Sequence, residues 1–132
     1  KTLIDAAGAD QLRITSSTLF HNEMAGSVLS VPGTEHTIVS QSIFAFNGSP
    51  YVDGGDALFF CSFLDGLFPD PPFVSEIRYG DPRFVSDDDF HLAYDSPAAE
   101  QCDGHTARAD VDADFEARPS RGRSEPGADE LD

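Results

Sequence analysis

The chain has 132 residues, 24 acids against 8 bases, a net charge of −16, 11 phenylalanines and no tryptophan. That length holds one domain with a real core and excludes two. So negative a field repels phosphate and anionic lipid, which excludes nucleic acid and an acidic membrane surface as partners; it also weighs against an anionic polysaccharide unless calcium bridges the two. The charge is uneven, with nine acids and three bases through residue 80 and fifteen and five from residue 81 onward. No apolar stretch is long enough to span a bilayer, so no membrane insertion by this chain is expected. The chain opens on Lys1 in strand-like sequence, and it reads as the C-terminal piece of a longer protein.

Three segments then share one pattern. They are LRITSSTLFHN (Leu12 to Asn22), TIVSQSIFAFNG (Thr37 to Gly48) and ALFFCSFLDG (Ala57 to Gly66). Aligned on Ser17, Ser42 and Ser62, each carries an apolar residue three before the serine: Ile14, Val39 and Phe59. Thr18, Ile43 and Phe63 follow the serine, and Asn22, Asn47 or Asp65 stands near the end. A further strand-like piece, SVLSV (Ser27 to Val31), lies between the first two. Alternation with a period of two predicts strands, and Asn and Gly at their ends predict left-handed corners. A spacing of roughly 20 to 25 residues is that of a solenoid, whose stacked coils share one core. An ordinary β-sandwich with coincidental spacing is the competing reading.

Past Gly66 the texture changes. LFPDPPF reads as a loop, and RFV and FHLAY as two short strands around SDDD. From His105 the chain is polar and Asp-rich, with Phe115 and Leu131 the large apolar exceptions. Two cysteines are too few for a disulfide framework; Cys61 and Cys102 form one bridge in an oxidising compartment, or Cys61, inside ALFFCSF, is a buried free thiol.

The second half carries more specific signals: Asp81-Pro82, Phe84-Val85, Asp87 to Phe90, Leu92, Ser96-Pro97-Ala98, then Asp114-Phe115-Glu116, Arg118-Pro119 and Gly127-Ala128-Asp129-Glu130. These resemble the C-terminal signature of bacterial right-handed parallel β-helix proteins of the pectin-lyase-like type, including surface proteins with a choice-of-anchor ending. Departures from the pattern are Ala117, Ala99-Glu100 and Glu125-Pro126. The resemblance implies an all-β right-handed parallel β-helix, seen as its last two or three coils plus a cap. Its parts would be coils over 1–66, a final coil with a Pro-rich loop over 67–104, and an extended acidic cap over 105–132. The cap would close the open end of the solenoid, with Phe115 buried as its anchor and Arg118 paired to carboxylates.

The chemistry-bearing residues are few. Asp110, Asp112 and Asp114 fall on the first ligand positions of a calcium loop, but Phe115 and Arg121 stand where Gly and Glu are needed. Asp87 to Asp89 read as a turn of solvated carboxylates. His21, His36, His91 and His105 are scattered, with His21 aligned to Phe46 or Ala45. Asp53 and Asp56 read as a turn, and the bases in reach of the coils are Lys1, Arg13 and Arg78. No residue is therefore assigned to catalysis, to a cofactor or to a metal, calcium being the one ion considered. The expected role is a non-catalytic end of a secreted or cell-surface bacterial β-helix, in adhesion or in contact with a polysaccharide. The alternative is the C-terminal fragment of a polysaccharide lyase or glycoside hydrolase with its active site upstream.

Overall fold

The computed structural model describes residues 2–22, 27–47, 52–55, 57–65, 73–103, 111–118 and 123–129. Among them every regular element is a strand. Eleven strands build three parallel sheets: β1 (Ile4–Asp5), β4 (Leu29–Ser30) and β7 (Val52–Asp53); β2 (Gln11–Thr15), β5 (His36–Ser40), β8 (Ala57–Phe60) and β10 (Phe73–Ser75); β3 (Thr18–Phe20), β6 (Ile43–Ala45), β9 (Phe63–Leu64) and β11 (Arg78–Tyr79). The chain visits the first, second and third sheets in turn, and each new pass lies beside the last. Pairing of Thr18 with Ile43 and of Ile43 with Phe63 reproduces the two offsets that the serine alignment predicts. A shorter pass follows and sets Arg78 beside Phe63.

Corners between the second and third sheets turn at residues that are not glycine. Ser16, Gln41, Cys61 and Glu76 all have positive φ, between 44° and 56°. Such left-handed residues are held by their surroundings, and at Ser16, Gln41 and Cys61 the serine that follows bonds back across the corner. Ser42 Oγ accepts the Ser17 N–H at 3.3 Å and donates to the Ser40 carbonyl at 2.9 Å. One pass later Ser62 Oγ does the same for the Ser42 N–H and the Phe60 carbonyl.

At the corner after the third sheet the expectation needs correcting. His21 and Phe46, not the asparagines, take the left-handed turn, with φ of 50° and 54°. Asn22 and Asn47 stand one residue later and form an amide ladder. Asn47 Oδ1 accepts from the Asn22 N–H and side-chain amide, and Asn47 Nδ2 donates to the Leu19 carbonyl at 2.7 Å. An amide bridges adjacent passes only from a residue whose backbone runs beside them, so the turn falls to its neighbour. Asp65 aligns with Ala45 rather than Asn47, and its carboxylate takes the Phe46 N–H.

Two apolar clusters follow from this topology. Ile14, Leu19, Val28, Leu29, Val31, Val39, Phe44, Ala57, Phe59 and Leu64 form the larger core. The alternate residues Ile43, Ala45 and Phe63 are buried too, against Leu92, Ala98 and the half-buried Phe20 and Phe84. The third sheet is thus covered on both faces, which is why IFA reads as an unbroken apolar run.

Its cover is the second half of the chain. An antiparallel hairpin, β12 (Phe84–Ser86) and β13 (Asp89–Leu92), has the turn expected around SDDD. β14 (Cys102–Asp103) pairs antiparallel with β15 (Arg123–Ser124). Cys61 and Cys102 are disulfide-bonded, tying a corner of the third pass to the cover. Ser96 Oγ donates to the Pro82 carbonyl and accepts the Ala98 N–H, which turns Ala98 into the core.

Gln101 and the terminal segment, here called the brace, bond to successive passes of the three sheets. Gln101 Nε2 donates to the carbonyls of Ser62 and Glu76; the Gly127 N–H donates to Gln41 O, and the Ala128 N–H to Thr18 Oγ1. Those partners belong to four successive passes. Phe115 is not its anchor: the side chain is 86% exposed, at the tip of a tight loop closed by the Asp112 carboxylate. Arg118 is the buried residue, 8% exposed, and it donates to the Gly127 carbonyl.

Candidate functional site

Where the hairpin meets the second corner, five aromatic rings converge. Phe20, at the end of β3, stacks on His21 with ring centres 4.0 Å apart and meets Phe46, Phe84 and Phe90 edge-on at 5.5, 4.8 and 5.4 Å. The left-handed turn at His21 and Phe46 brings these rings out of the stack one above the other. Four of the five rings, all but Phe90, border a cleft of about 370 Å³ lined by Phe20, His21, Phe46, Phe84, Asp81, Arg83, Ser86 and Asp87. Phe46 and Phe90 remain 43% and 47% exposed. Arg83 projects from a left-handed residue, its N–H on Asp81 and its guanidinium on Asp95 at 2.7 Å. An apolar floor with a rim of two carboxylates, a guanidinium, an imidazole and a hydroxyl suits a ligand that is flat on one face and polar at its edge.

Beside it lies a second cleft, of about 330 Å³, with a polar centre at His91. The Asp89 carboxylate holds Nδ1, and Asp114 Oδ2 lies 2.8 Å and Asp129 Oδ1 3.8 Å from Nε2. Asp89 comes from the same strand, Asp114 from the tight loop and Asp129 from the end of the brace. Hydrogen bonds to Asp89 and then to Asp114, with the charge of Asp129, raise the His91 pKa from 6.5 to about 9. Asp89 is held low by those same bonds to His91. Burial pushes Asp129 up, with the charges of Asp112 and Asp114 adding to it. At neutral pH His91 is therefore a cation clamped among carboxylates, unsuited to accept a proton.

The structure separates the acids that the sequence groups together. Asp112 closes its own loop while Asp114 goes to His91, and Asp110 lies outside the described residues. Of SDDD, Asp87 lines the aromatic cleft, Asp88 the polar one, and Asp89 fixes the imidazole. His21 stacks on Phe20 and neighbours Phe46, as aligned, and His36 is exposed on β5; His105 is not among the described residues. Ser17, Ser42 and Ser62 form the expected ladder. Arg78 donates to the Pro97 carbonyl, Arg13 and Asp53 are exposed, and Lys1 and Asp56 fall outside the described residues. Sequence reasoning missed the convergence of Phe20, Phe46, Phe84 and Phe90. Its trace is the Phe-His pair that recurs at Phe20-His21 and Phe90-His91.

Among the described residues no helix is long and apolar enough to cross a membrane. Comparison with models of protein families, with curated proteins and with solved structures found no match.

Proposed function

We propose that this chain is the C-terminal part of a right-handed parallel β-helix at the surface of a bacterium, and that its aromatic cleft holds a neutral glycan without cleaving it. Support for the coil comes from the fixed order of the three sheets and from the serine and asparagine ladders, which each need a neighbouring pass. Crossovers between parallel strands are right-handed in nearly all proteins. The disulfide supports an oxidising, extracellular setting. The likeness to pectin-lyase-like proteins rests on motifs with definite structural work here: Ser96 orders the turn at Pro97-Ala98, and Arg118 joins the Arg-Pro motif to Gly127.

One observation carries the ligand class: the group of Phe20, Phe46 and Phe84 beside a rim of Asp81, Asp87, Arg83 and His21. Aromatic faces accept the C–H face of a pyranose, while carboxylates and guanidinium pair with its hydroxyls. A net charge of −16 selects against polyanions. The test is titration of neutral and uronate oligosaccharides by isothermal calorimetry, with products assayed for new reducing ends. Binding of a neutral glycan, lost in Phe46→Ala and without turnover, is the expected result. Turnover, or binding that survives Phe46→Ala and Arg83→Ala, overturns it.

A further inference from the structure

We propose that His91, Asp114 and Asp129 form a binding site for a first-row divalent transition ion, with zinc as its best representative, that clips the terminal brace to the hairpin. One ligand atom from each of the three lies within 4.8 Å of the others, and the residues come from three separate segments. A tetrahedral zinc with bonds of about 2.1 Å needs ligand atoms about 3.4 Å apart. The two distances from Nε2, 2.8 Å to Asp114 and 3.8 Å to Asp129, straddle that value.

Three further features set this group apart from a patch of surface acids. Asp89 grips Nδ1 and leaves Nε2 facing the two carboxylates, the arrangement that orients a ligating histidine in metal sites. Asp129 is only 8% exposed, yet it lines the polar cleft; a backbone hydrogen bond from Leu92 fixes its carboxylate, with Oδ1 3.8 Å from Nε2. Asp112, equally buried and near enough for its charge to act on Asp129, keeps Oδ2 without a hydrogen-bond partner among the described residues. Three carboxylates, those of Asp89, Asp114 and Asp129, thus surround one imidazole, a surplus of negative charge that a divalent ion offsets. Binding would replace the proton between Nε2 and Asp114, releasing it to solvent.

The donor set chooses the class of ion. Calcium takes six to eight oxygens, roughly, and no imidazole. Imidazole with carboxylates suits zinc and its neighbours. The adjoining cleft leaves room for water to complete the coordination. This inference is independent of the glycan reading, since it uses the other cleft.

The experiment takes the full chain without a histidine tag, stripped with EDTA. Zinc, calcium and magnesium chlorides are titrated in turn, and retained metal is counted by mass spectrometry after desalting. Expected are one zinc per chain, calcium weaker by at least tenfold, and a shifted His91 Nε2 resonance in nitrogen-15 spectra. Zinc retention should be lost in His91→Gln and Asp129→Asn and kept in His36→Ala. Asp114→Asn, on an exposed side chain, gives the same answer should the buried Asp129 variant fail to fold. Asp89→Asn should cost about 10- to 100-fold in affinity by freeing the ring. No retained zinc, retention unchanged in His91→Gln and Asp114→Asn, or preference for calcium would each overturn the proposal.

Discussion

Arg118 donates through Nη2 to the carbonyl of Gly127 at 3.0 Å, and Gly127 in turn lies on the outer side of Ile43. This joins the two motifs of the C-terminal segment, Arg-Pro and Gly-Ala-Asp-Glu. Truncating Arg118 to Ala removes a charged donor from a buried site, at a cost of about 2–3 kcal/mol. A fall in melting temperature with an unchanged far-UV spectrum is the expected outcome.

Gly127 is more constrained still. Its φ is +107°, and a Cβ there would stand 2.8 Å from Thr18 Oγ1 and 2.9 Å from Ile43 Cδ1. Gly127→Ala forces Thr18, the buried Ile43 or the brace to shift, besides placing a side chain at a positive φ, and should cost about 3 kcal/mol. Faster exchange of the Ala128 amide, which bonds Thr18 Oγ1, would locate the damage at that contact.

Phe115→Ala should do almost nothing, within about 0.5 kcal/mol, because the ring lies in water. Phe59→Ala, in the core, should cost about 3–5 kcal/mol. Denaturant titration of the two variants side by side decides this, and equal losses would refute the placement of Phe115.

The serine ladder gives a smaller effect. Ser42→Ala strips a partner from the Ser17 N–H and from the Ser40 carbonyl, for about 1–3 kcal/mol. The Cys61–Cys102 bridge closes a separation of 41 residues, and chain-entropy arguments assign such a loop about 4 kcal/mol. Cys61→Ser with Cys102→Ser should therefore lower the melting temperature more than Ser42→Ala does.

For pH dependence, the folded pKa of His91 is raised from 6.5 to about 9. Its stabilisation is then fully present below pH 6.5 and is lost as pH rises through 9. Asp89, held below its ordinary value, acts at the other end: its contribution is present above about 4 and is lost in stronger acid. Asp129, raised by burial, opposes folding once ionised. Melting temperatures in EDTA should fall between pH 6 and 9.5 in the native chain. A similar fall in His91→Gln would show that the histidine is not its source.

Much of the architecture was legible because its rules are local. Alternation over LRIT, TIV and ALF gives strands, and a serine after each corner fixes the offset between passes. The hairpin around SDDD follows from short apolar halves beside a polar turn. The corners were misassigned because a ladder of amides and a left-handed residue both favour asparagine, and only the position of the neighbouring pass separates the two roles. The aromatic cleft was hidden for a different reason. Phe20 and Phe84 belong to distant parts of the chain, and composition cannot show that they meet.

The sequence by itself determined that this chain is β-structured, strongly acidic and paired pass against pass at the spacing of Ser17, Ser42 and Ser62. Side-chain alternation and corner chemistry act over a few residues and leave a periodic trace. Tertiary structure alone decided that the terminal segment braces the third sheet, that Arg118 is buried while Phe115 is exposed, and that Asp89, Asp114 and Asp129 gather on His91. Each of these depends on which distant surface the brace covers. That choice is made by complementary shape, by the glycine fitted over Ile43, and by where opposite charges come to lie.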